Sequence, residues 1–337
     1  MAIDLGARTT KAVHLQRRGE GLNFLGYVLQ DAPAYEKGVS PELLGEHLAA
    51  INQALGGRTK QVVLAVGVGD SMVRHAELPM VPVADMRMML KLNAKNYLQQ
   101  DLPDHVFDCY VMPLRPGTKL EASKTGQKCT VLVGSAKKQS IDNLQTAARN
   151  AGLTAEQIVP GLIGPPNAFE ATKQDIFTKE VIALVDIGFK HSSISILLNG
   201  ELTLSRVVGL GGDRLTSGVA EALGVGYAEA EGIKVGLPDE VQSTMVTLLA
   251  PLGRELRASI DFFEHQQDKP VTQVFVSGGS ARSDYIIQIL QTELMIPCVS
   301  WNPTTALNMA LPPQQMGEVE QIAPQLAVAI GAALAAL

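Results

Sequence analysis

The sequence predicts an α/β protein with two similar lobes and a small α/β subdomain inserted into the first lobe. Two stretches about half a chain apart, Ile3-Asp4-Leu5-Gly6 and Val185-Asp186-Ile187-Gly188, each place an acid and a glycine turn at the end of an apolar strand. Each stretch precedes a second strand, a hairpin signal, a third strand and a helical pattern. A unit repeated in this way indicates a duplicated lobe. A segment from residue 78 to about residue 161 has no counterpart in the second half, which indicates the insertion.

The elements after the two acidic turns match one by one. In the first repeat we expect strands at 11–16 and 22–29 and a helix at 41–55, and in the second repeat strands at 193–198 and 201–208 and a helix at 214–223. Asn199-Gly200 joins the second pair of strands, and Asn-Gly is the strongest short hairpin signal because both residues tolerate positive φ.

The intervening segment has its own α/β pattern. We expect a helix at 83–100, a strand at 107–114, a polar linker at 117–127, a strand at 129–135 and a helix at 138–151 closed by Gly152. Farther along, a long helix at 243–267 precedes a strand at 274–276 and a helix ending near 294. We assign 1–78, with 160–181 and 322–337, to the first lobe, 79–159 to the inserted subdomain and 182–321 to the second lobe.

Composition narrows the classes of function. The net charge is −6 and no run of basic residues offers a footprint for phosphate backbones, so nucleic acid is not an expected partner. Three widely spaced cysteines without CxxC spacing indicate neither a disulfide framework nor a zinc site. No stretch approaches the ~20 apolar residues of a membrane span and no signal peptide is evident, which predicts a cytoplasmic protein without direct membrane insertion.

An acid followed by a glycine turn suits a phosphate bound through a divalent metal ion. Glycine lets backbone amides approach phosphate oxygens, and the carboxylate can hold water bound to Mg²⁺. One such turn is more often only a strand-ending turn. A pair of turns on facing lobes is more informative, because together they would hold a triphosphate in the cleft.

The candidate nucleotide-binding residues come from the two acidic turns and from three later motifs that suit the nucleoside end. The later motifs also have plain interpretations, as a loop, a surface ion pair and a helix N-terminus. Asp4 and Asp186 are the candidate Mg²⁺ residues, through water. The full set is Asp4, Gly6, Arg8, Thr9, Thr10, Lys11, Asp186, Gly188, Lys190, Gly211, Gly212, Glu231, Lys234, Gly278, Gly279, Ser280 and Arg282.

The motifs DLGxxTxK, VDIG, GLGGDxL, ExxK and SGGSAR occur in the order used by the actin, Hsp70 and hexokinase superfamily. Within it, the chain resembles the PilM/FtsA branch over nearly its full length. The longer matches are GLGGDRLTSGVAEALGVGYAEAEGIKVG, RASIDFFEHQQ, AGLTAEQIV and the segment beginning ELPMVPVADMRMMLKLNAKNYLQQDLPDHVFDCYVM.

The resemblance implies an actin-like (ribonuclease H-like) two-lobe fold with an inserted SHS2-type subdomain, and ATP with Mg²⁺ as ligands. It implies a cytoplasmic scaffold of type IV pilus or related secretion machinery. The scaffold would bind the N-terminal cytoplasmic peptide of a PilN-like single-pass membrane protein, which would recruit it to the inner face of the membrane. Self-association is compatible with the resemblance. We assign no catalytic residue and expect at most slow ATP hydrolysis.

The chain departs from the family pattern in both acidic turns. Phe189-Lys190-His191 stands where Gly, Ala or Ser is usual, and Arg8 stands at a position that is often small. Bulky side chains could obstruct the phosphates, or Lys190 could donate charge to them. The first strand is also short, with only Met1 and Ala2 before Ile3.

Several alternatives stay open at this point. A metabolite kinase of the same superfamily would need a carboxylate base, for which Asp101, Asp104 and Asp108 are candidates, although solvated loop acids are the simpler interpretation. An FtsA-like cell-division protein is another alternative. A Rossmann dehydrogenase is set aside because the glycines at 209–212 lack the required spacing. Finally, Met80, Met86, Met88 and Met89 suit either core packing or a peptide-binding groove.

Overall fold

The computed structural model describes residues 1–33, 40–57, 59–113, 127–236 and 239–337, without the side chains of residues 239 and 240. Apart from Gln127, the predicted polar linker at 117–127 lies outside the described residues. The strands are β1 Ala2–Leu5, β2 Thr9–Arg18, β3 Gly21–Asp31, β4 Gln61–Val66, β5 Ser71–Pro79, β6 His105–Val111, β7 Lys128–Lys137, β8 Thr154–Pro160, β9 Val181–Ile187, β10 Ser192–Leu198, β11 Glu201–Val208, β12 Gln273–Gly278, β13 Cys298–Ser300 and β14 Asn308–Met309.

The helices include those that the sequence predicts, together with others that it does not, among them Gly164–Thr172 and Gln174–Lys179. They are α1 Pro41–Ala54, α2 Val83–Leu98, α3 Lys138–Asn150, α4 Gly164–Thr172, α5 Gln174–Lys179, α6 Gly212–Leu223, α7 Tyr227–Gly236, α8 Asp239–Gln267, α9 Asp284–Leu294, α10 Pro313–Met316, α11 Val319–Ile322 and α12 Ala327–Leu334. Single 3-10 turns occupy Gly161–Ile163, Gly279–Arg282 and Ala323–Leu326.

The two lobes repeat the same local topology. In each, three antiparallel strands and a helix follow in order, β1-β2-β3-α1 and β9-β10-β11-α6, as the sequence predicts. The full strand orders are β14-β3-β2-β1-β4-β8 and β11-β10-β9-β12-β13. The central strands β1 and β9 each pair antiparallel with the hairpin and parallel with a later strand, β4 or β12. At the β10–β11 hairpin, Asn199 and Gly200 have φ of 50° and 85°, the two positive values that the Asn-Gly signal predicts.

Both faces of the first sheet are covered, so successive side chains along its strands point alternately into two apolar layers. Ala2 faces the layer formed with α4 and α12, and Ile3 faces the layer formed with α1 and α3. The first layer continues onto one face of the second sheet. There, the ring of Phe169 on α4 lies 4.7 Å from the ring of Phe275 and 5.2 Å from that of Trp301. The lobes therefore share a core at their junction.

Strand pairing defines a third sheet, β5-β7-β6, with α2 packed against it. We call residues 71–137 the insert. Its ends differ from the predicted boundaries of 79 and 159, because Ser71 of β5 pairs with Ala136 of β7 whereas β8 pairs with β4 of the first sheet. Helix α3 packs on α1 with the first lobe. The sequence pattern predicts α2, β6, β7 and α3, but it predicts neither strand β5 nor which sheet each strand joins.

Over the described residues, none of the helices combines the length and the apolar character needed to cross a membrane.

Candidate functional site

The site is built around two turns that lie at the ends of equivalent strands, β1 and β9. We call residues 6–8 the first loop and residues 188–191 the second loop. A Cβ atom on Gly6 would lie 2.5 Å from the carbonyl oxygen of Thr9, and one on Gly188 would lie 2.8 Å from that of His191. Both turns therefore fold tightly on their own backbone, which is why each requires glycine.

Strand register determines the partner of each predicted acid. Asp4 lies opposite Lys11 in the β1–β2 pair, and Lys11 Nζ donates to Asp4 Oδ2 at 2.9 Å. Asp186 lies opposite Ser277 in the β9–β12 pair, and Ser277 Oγ donates to Asp186 Oδ2 at 2.8 Å. The two repeats therefore hold equivalent carboxylates in different ways, one with a cation and one with a hydroxyl.

Electrostatic coupling joins these groups across the two lobes. Burial opposes the charge on Lys11, but the carboxylates of Asp4 and Asp186 outweigh it, so the pKa of Lys11 is raised. Burial raises the pKa of Asp186, against the lowering effects of Ser277 and Lys11, and Asp4 raises it further. One cation and two acids from opposite lobes thus influence one another's charge, and we call these three residues the acid cluster.

A second group, the Glu231 network, connects α7 to α6 and to the first loop. Glu231 Oε2 lies 2.8 Å from Lys234 Nζ, 2.5 Å from Thr216 Oγ1 and 3.3 Å from Arg8 Nη1. Lys234 is buried and also lies 2.8 Å from Thr216 Oγ1. Burial opposes ionisation of Glu231, but the donors around it outweigh burial, so the pKa of Glu231 is lowered. The predicted Glu231–Lys234 pair is thus a largely buried network rather than a surface ion pair.

The glycine motifs lie beside this network. The amides of Gly212 and Asp213 donate to the carbonyl oxygens of Gly188 and Phe189, at 2.9 Å each, so the start of α6 supports the second loop. A Cβ atom on Gly212 would lie 3.4 Å from Ser280 Oγ, which brings the third motif to the same place.

The end of β12 also depends on glycine. Gly278 has φ of +92°, and a Cβ atom there would lie 2.4 Å from the carbonyl oxygen of Ile187. A Cβ atom on Gly279 would meet nothing closer than Gln325 Oε1, at 4.0 Å. Residue 279 is therefore a place where a flat ligand group can approach the backbone.

One predicted role is corrected by the structure. Thr10 Oγ1 lies 2.8 Å from Nε2 of His47 on α1, and Thr10 is buried, so its hydroxyl faces the covered side of the sheet and not the loop. Thr9 is half-buried and points to the opposite face, because successive strand side chains alternate. Lys190 and Arg282 are exposed at the edges of the site.

Three side chains that contact candidate site residues were not predicted from the sequence. Ser277 donates to Asp186, Thr216 completes the Glu231 network, and His47 on α1 forms a hydrogen bond with Thr10 on β2. Ser277 directly precedes the predicted glycine motif and Thr216 lies four residues after Gly212, so proximity in sequence was a signal for both. His47 lies 37 residues from its partner Thr10 and left no such signal.

The acids considered for a kinase base lie on the insert. Asp101, Asp104 and Asp108 are all exposed, and Asp108 Oδ1 accepts from Arg87 Nη2 at 2.6 Å. They fit the simpler interpretation of solvated acids.

The donor set suits a magnesium ion that keeps most of its water. Within the described ranges, no three His, Cys, Asp or Glu side chains come together to hold a metal ion. One or two carboxylates are the usual protein contribution to a Mg²⁺ site, because the remaining positions go to water and phosphate oxygens. The acid cluster therefore fits this ion as a partner of bound phosphates.

Comparison with family models identifies the family of this chain. A family model described as type IV pilus assembly protein PilM matches residues 2–337. Cell division protein FtsA of Bacillus subtilis is 27% identical over 169 residues, which is 49% of this chain and 35% of that protein. The chain thus spans little more than a third of the length of that relative.

Solved structures agree with the fold. The structure titled PilM-PilN type IV pilus biogenesis complex is similar with a TM-score of 0.83 and 22% identity, covering 99% of this chain and 97% of that one. MreB5 of Spiroplasma citri, bound to ADP, gives a TM-score of 0.52 and 10% identity, covering 90% and 92%. The predicted actin-like two-lobe α/β fold is confirmed.

Proposed function

The chain belongs to the PilM family of type IV pilus assembly proteins, and from this we propose that it is an ATP-binding scaffold of pilus or related secretion machinery. In this proposal it holds ATP with Mg²⁺ between its lobes. It also binds a short cytoplasmic peptide of a PilN-like inner-membrane protein, which recruits it to the membrane.

The observation that carries nucleotide binding is the acid cluster. Asp4 and Lys11 come from the first lobe and Asp186 from the second, yet they interact electrostatically. A triphosphate with a metal ion suits this arrangement. The positive charge of the metal compensates the charge of the carboxylates, and the charge of the lysine compensates that of a phosphate. When bound, Mg²⁺ would neutralise part of the phosphate charge. Asp4 and Asp186 would hold it through water.

The Glu231 network would bind the nucleoside end. The three contacts described for Glu231 all converge on Oε2, so Oε1 can accept from a ribose hydroxyl. Gly279 would let the base lie against the backbone. The bound nucleotide of the MreB5 structure supports this assignment by fold likeness alone.

Peptide binding is supported by the PilN partner named in the solved complex and by the surface of the insert. Met86 is buried in the insert core, but Met80 and Met88 are 47% and 54% exposed. Met86 therefore packs in the core, whereas Met80 and Met88 remain candidates for a peptide-binding groove. Flexible exposed methionines suit the binding of an apolar peptide. Where the insert meets the first lobe, a Cβ on Gly134 would lie 3.4 Å from Pro160 Cγ. We place the peptide along this junction.

The nucleotide part is tested by thermal unfolding of Asp4→Asn and Asp186→Asn with and without Mg-ATP. These changes remove charge while keeping shape. ATP at about 100 times its Kd would stabilise the parent protein by about 2.7 kcal/mol, and both variants should lose the Mg²⁺-dependent part of this shift. Asp175→Asn is the matched control, because Asp175 is exposed and pairs only locally with Lys179. If either cluster variant keeps the full shift, the two-loop site is wrong.

A further inference from the structure

Arg8 and Phe189 stand at positions in the two loops where small residues are usual, and their side chains contact each other across the cleft. The guanidinium carbon of Arg8, on the first loop, lies 5.3 Å from the ring centroid of Phe189, on the second loop. This is within the ~6 Å range of a cation–π contact. The same guanidinium lies 3.3 Å from Glu231 Oε2 on α7. One side chain of the first lobe therefore contacts the second lobe at two places.

A second contact joins the lobes nearby. A Cβ atom on Gly69, in the turn between β4 and β5, would lie 2.6 Å from Cε1 of His191 on the second loop. The imidazole therefore packs directly on the backbone of that turn, in the space that a Cβ atom at residue 69 would fill. Arg8, Phe189 and His191 are thus three unusual side chains that all make contacts between the lobes.

The second-lobe residues in these contacts are fixed by hydrogen bonds within their own lobe. Glu231 is fixed by Lys234 and Thr216, and the carbonyl oxygen of Phe189 accepts from the amide of Asp213. Arg8 itself is 42% exposed along its side chain, so water reaches part of it. Each contact is individually modest, but a balance between open and closed lobes is sensitive to modest differences.

We propose that Arg8, Phe189, Glu231 and the His191–Gly69 contact form a latch that holds the two lobes together through the protein's own side chains. The closed arrangement then has a basal population set by the latch, and a ligand in the cleft adds to that population. This proposal does not depend on ATP binding.

Distances between spin labels on the two lobes test the latch. Glu46 on α1 and Glu221 on α6 are exposed and would be changed to cysteine for labelling, with Cys109→Ser in the background. Cys129 and Cys298 can stay, because both are buried and burial raises their thiol pKa values, that of Cys298 to about 12. The distance between the two spin labels is measured in every sample, without nucleotide, by pulsed electron paramagnetic resonance.

The parent protein, which carries the two labels and an intact latch, should give one narrow distribution of label-to-label distances. Arg8→Ala and Phe189→Ala should each broaden it and shift it to longer distances. The matched control is Phe262→Ala, which removes a cation–π pair with Arg206, at 4.8 Å, that lies within the second lobe; it should leave the distribution unchanged. The latch is refuted if the parent is as broad as Arg8→Ala, or if both latch variants stay as narrow as the parent. Because nucleotide is absent, either result stands whatever the thermal-shift test shows.

Discussion

His47 is a buried histidine whose only described side-chain partner is the hydroxyl of Thr10, at 2.8 Å. Burial lowers the pKa of His47. A lowered folded-state pKa means that the unfolded chain binds a proton more readily than the folded one. The contribution of His47 to stability is therefore fully present above its ordinary pKa of about 6.5 and is lost as the pH falls below it.

This gives a residue-scale prediction for the stability of the first lobe. Between pH about 7.5 and about 5.5, the melting temperature of the parent should fall more steeply than that of His47→Gln, because glutamine can also form a hydrogen bond with Thr10 but does not titrate in this range. Each unit of pKa difference corresponds to about 1.4 kcal/mol. The difference in melting temperature between the two proteins at the upper pH measures the effect of the substitution on packing alone. Parallel melting curves at every pH would show that His47 does not contribute.

At the scale of elements, helices α4 and α12 cross at very short range. A Cβ atom on Gly331 would lie 1.8 Å from the carbonyl oxygen of Gly164, and one on Gly164 would lie 2.7 Å from Cα of Val328. Asn167 Nδ2 donates to the carbonyl oxygen of Gly331 at 3.3 Å across the same crossing. The two glycines therefore allow the helices to touch backbone to backbone under the first sheet.

Gly331→Ala should destabilise the protein by about 3 kcal/mol, the upper end of the usual cost of overpacking, because the obstacle is backbone and cannot rotate away. The urea midpoint at constant m-value measures the loss. Gly317→Ala is the control, since a Cβ there would meet nothing within 4 Å and its φ of −77° suits alanine. Equal midpoints for the two variants would show that the helices can separate without cost.

At the scale of the whole molecule, the insert is attached by two neighbouring strands. Ser71 and Ala136 are paired across β5 and β7, so the chain enters and leaves the insert at adjacent points. Residues 72–135 can therefore be replaced by a short Gly-Ser linker without breaking the first sheet. Deletion of 79–159 would instead remove α3 and β8, which belong to the first lobe.

If the insert carries the partner site, replacement of residues 72–135 by the linker should abolish binding of a synthetic N-terminal PilN peptide. The Mg-ATP thermal shift should be retained. Fluorescence anisotropy of the labelled peptide measures the first, and the thermal shift serves as the folding control. A second variant, Met80→Ser with Met88→Ser, removes the exposed apolar side chains and keeps the fold, because both lie outside the insert core. Unchanged peptide affinity in both proteins would place the partner elsewhere.

The sequence by itself determined the duplicated lobe, the acid and glycine at each strand end and the Asn199-Gly200 hairpin. All three depend on residues close together in the chain, where local periodicity and turn chemistry are sufficient. It also provided Glu231 and Lys234 as a pair, because three residues in a helix bring side chains to one face.

Only the tertiary structure decided which sheet each strand joins, and so where the insert begins and ends. It also decided that Thr10 faces His47, that Ser277 supports Asp186, and that Arg8 contacts Phe189 from the opposite lobe. These pairs are separated by 37, 91 and 181 residues. Their contact depends on strand register and on how the two lobes meet, and neither leaves a periodic trace in the amino-acid sequence.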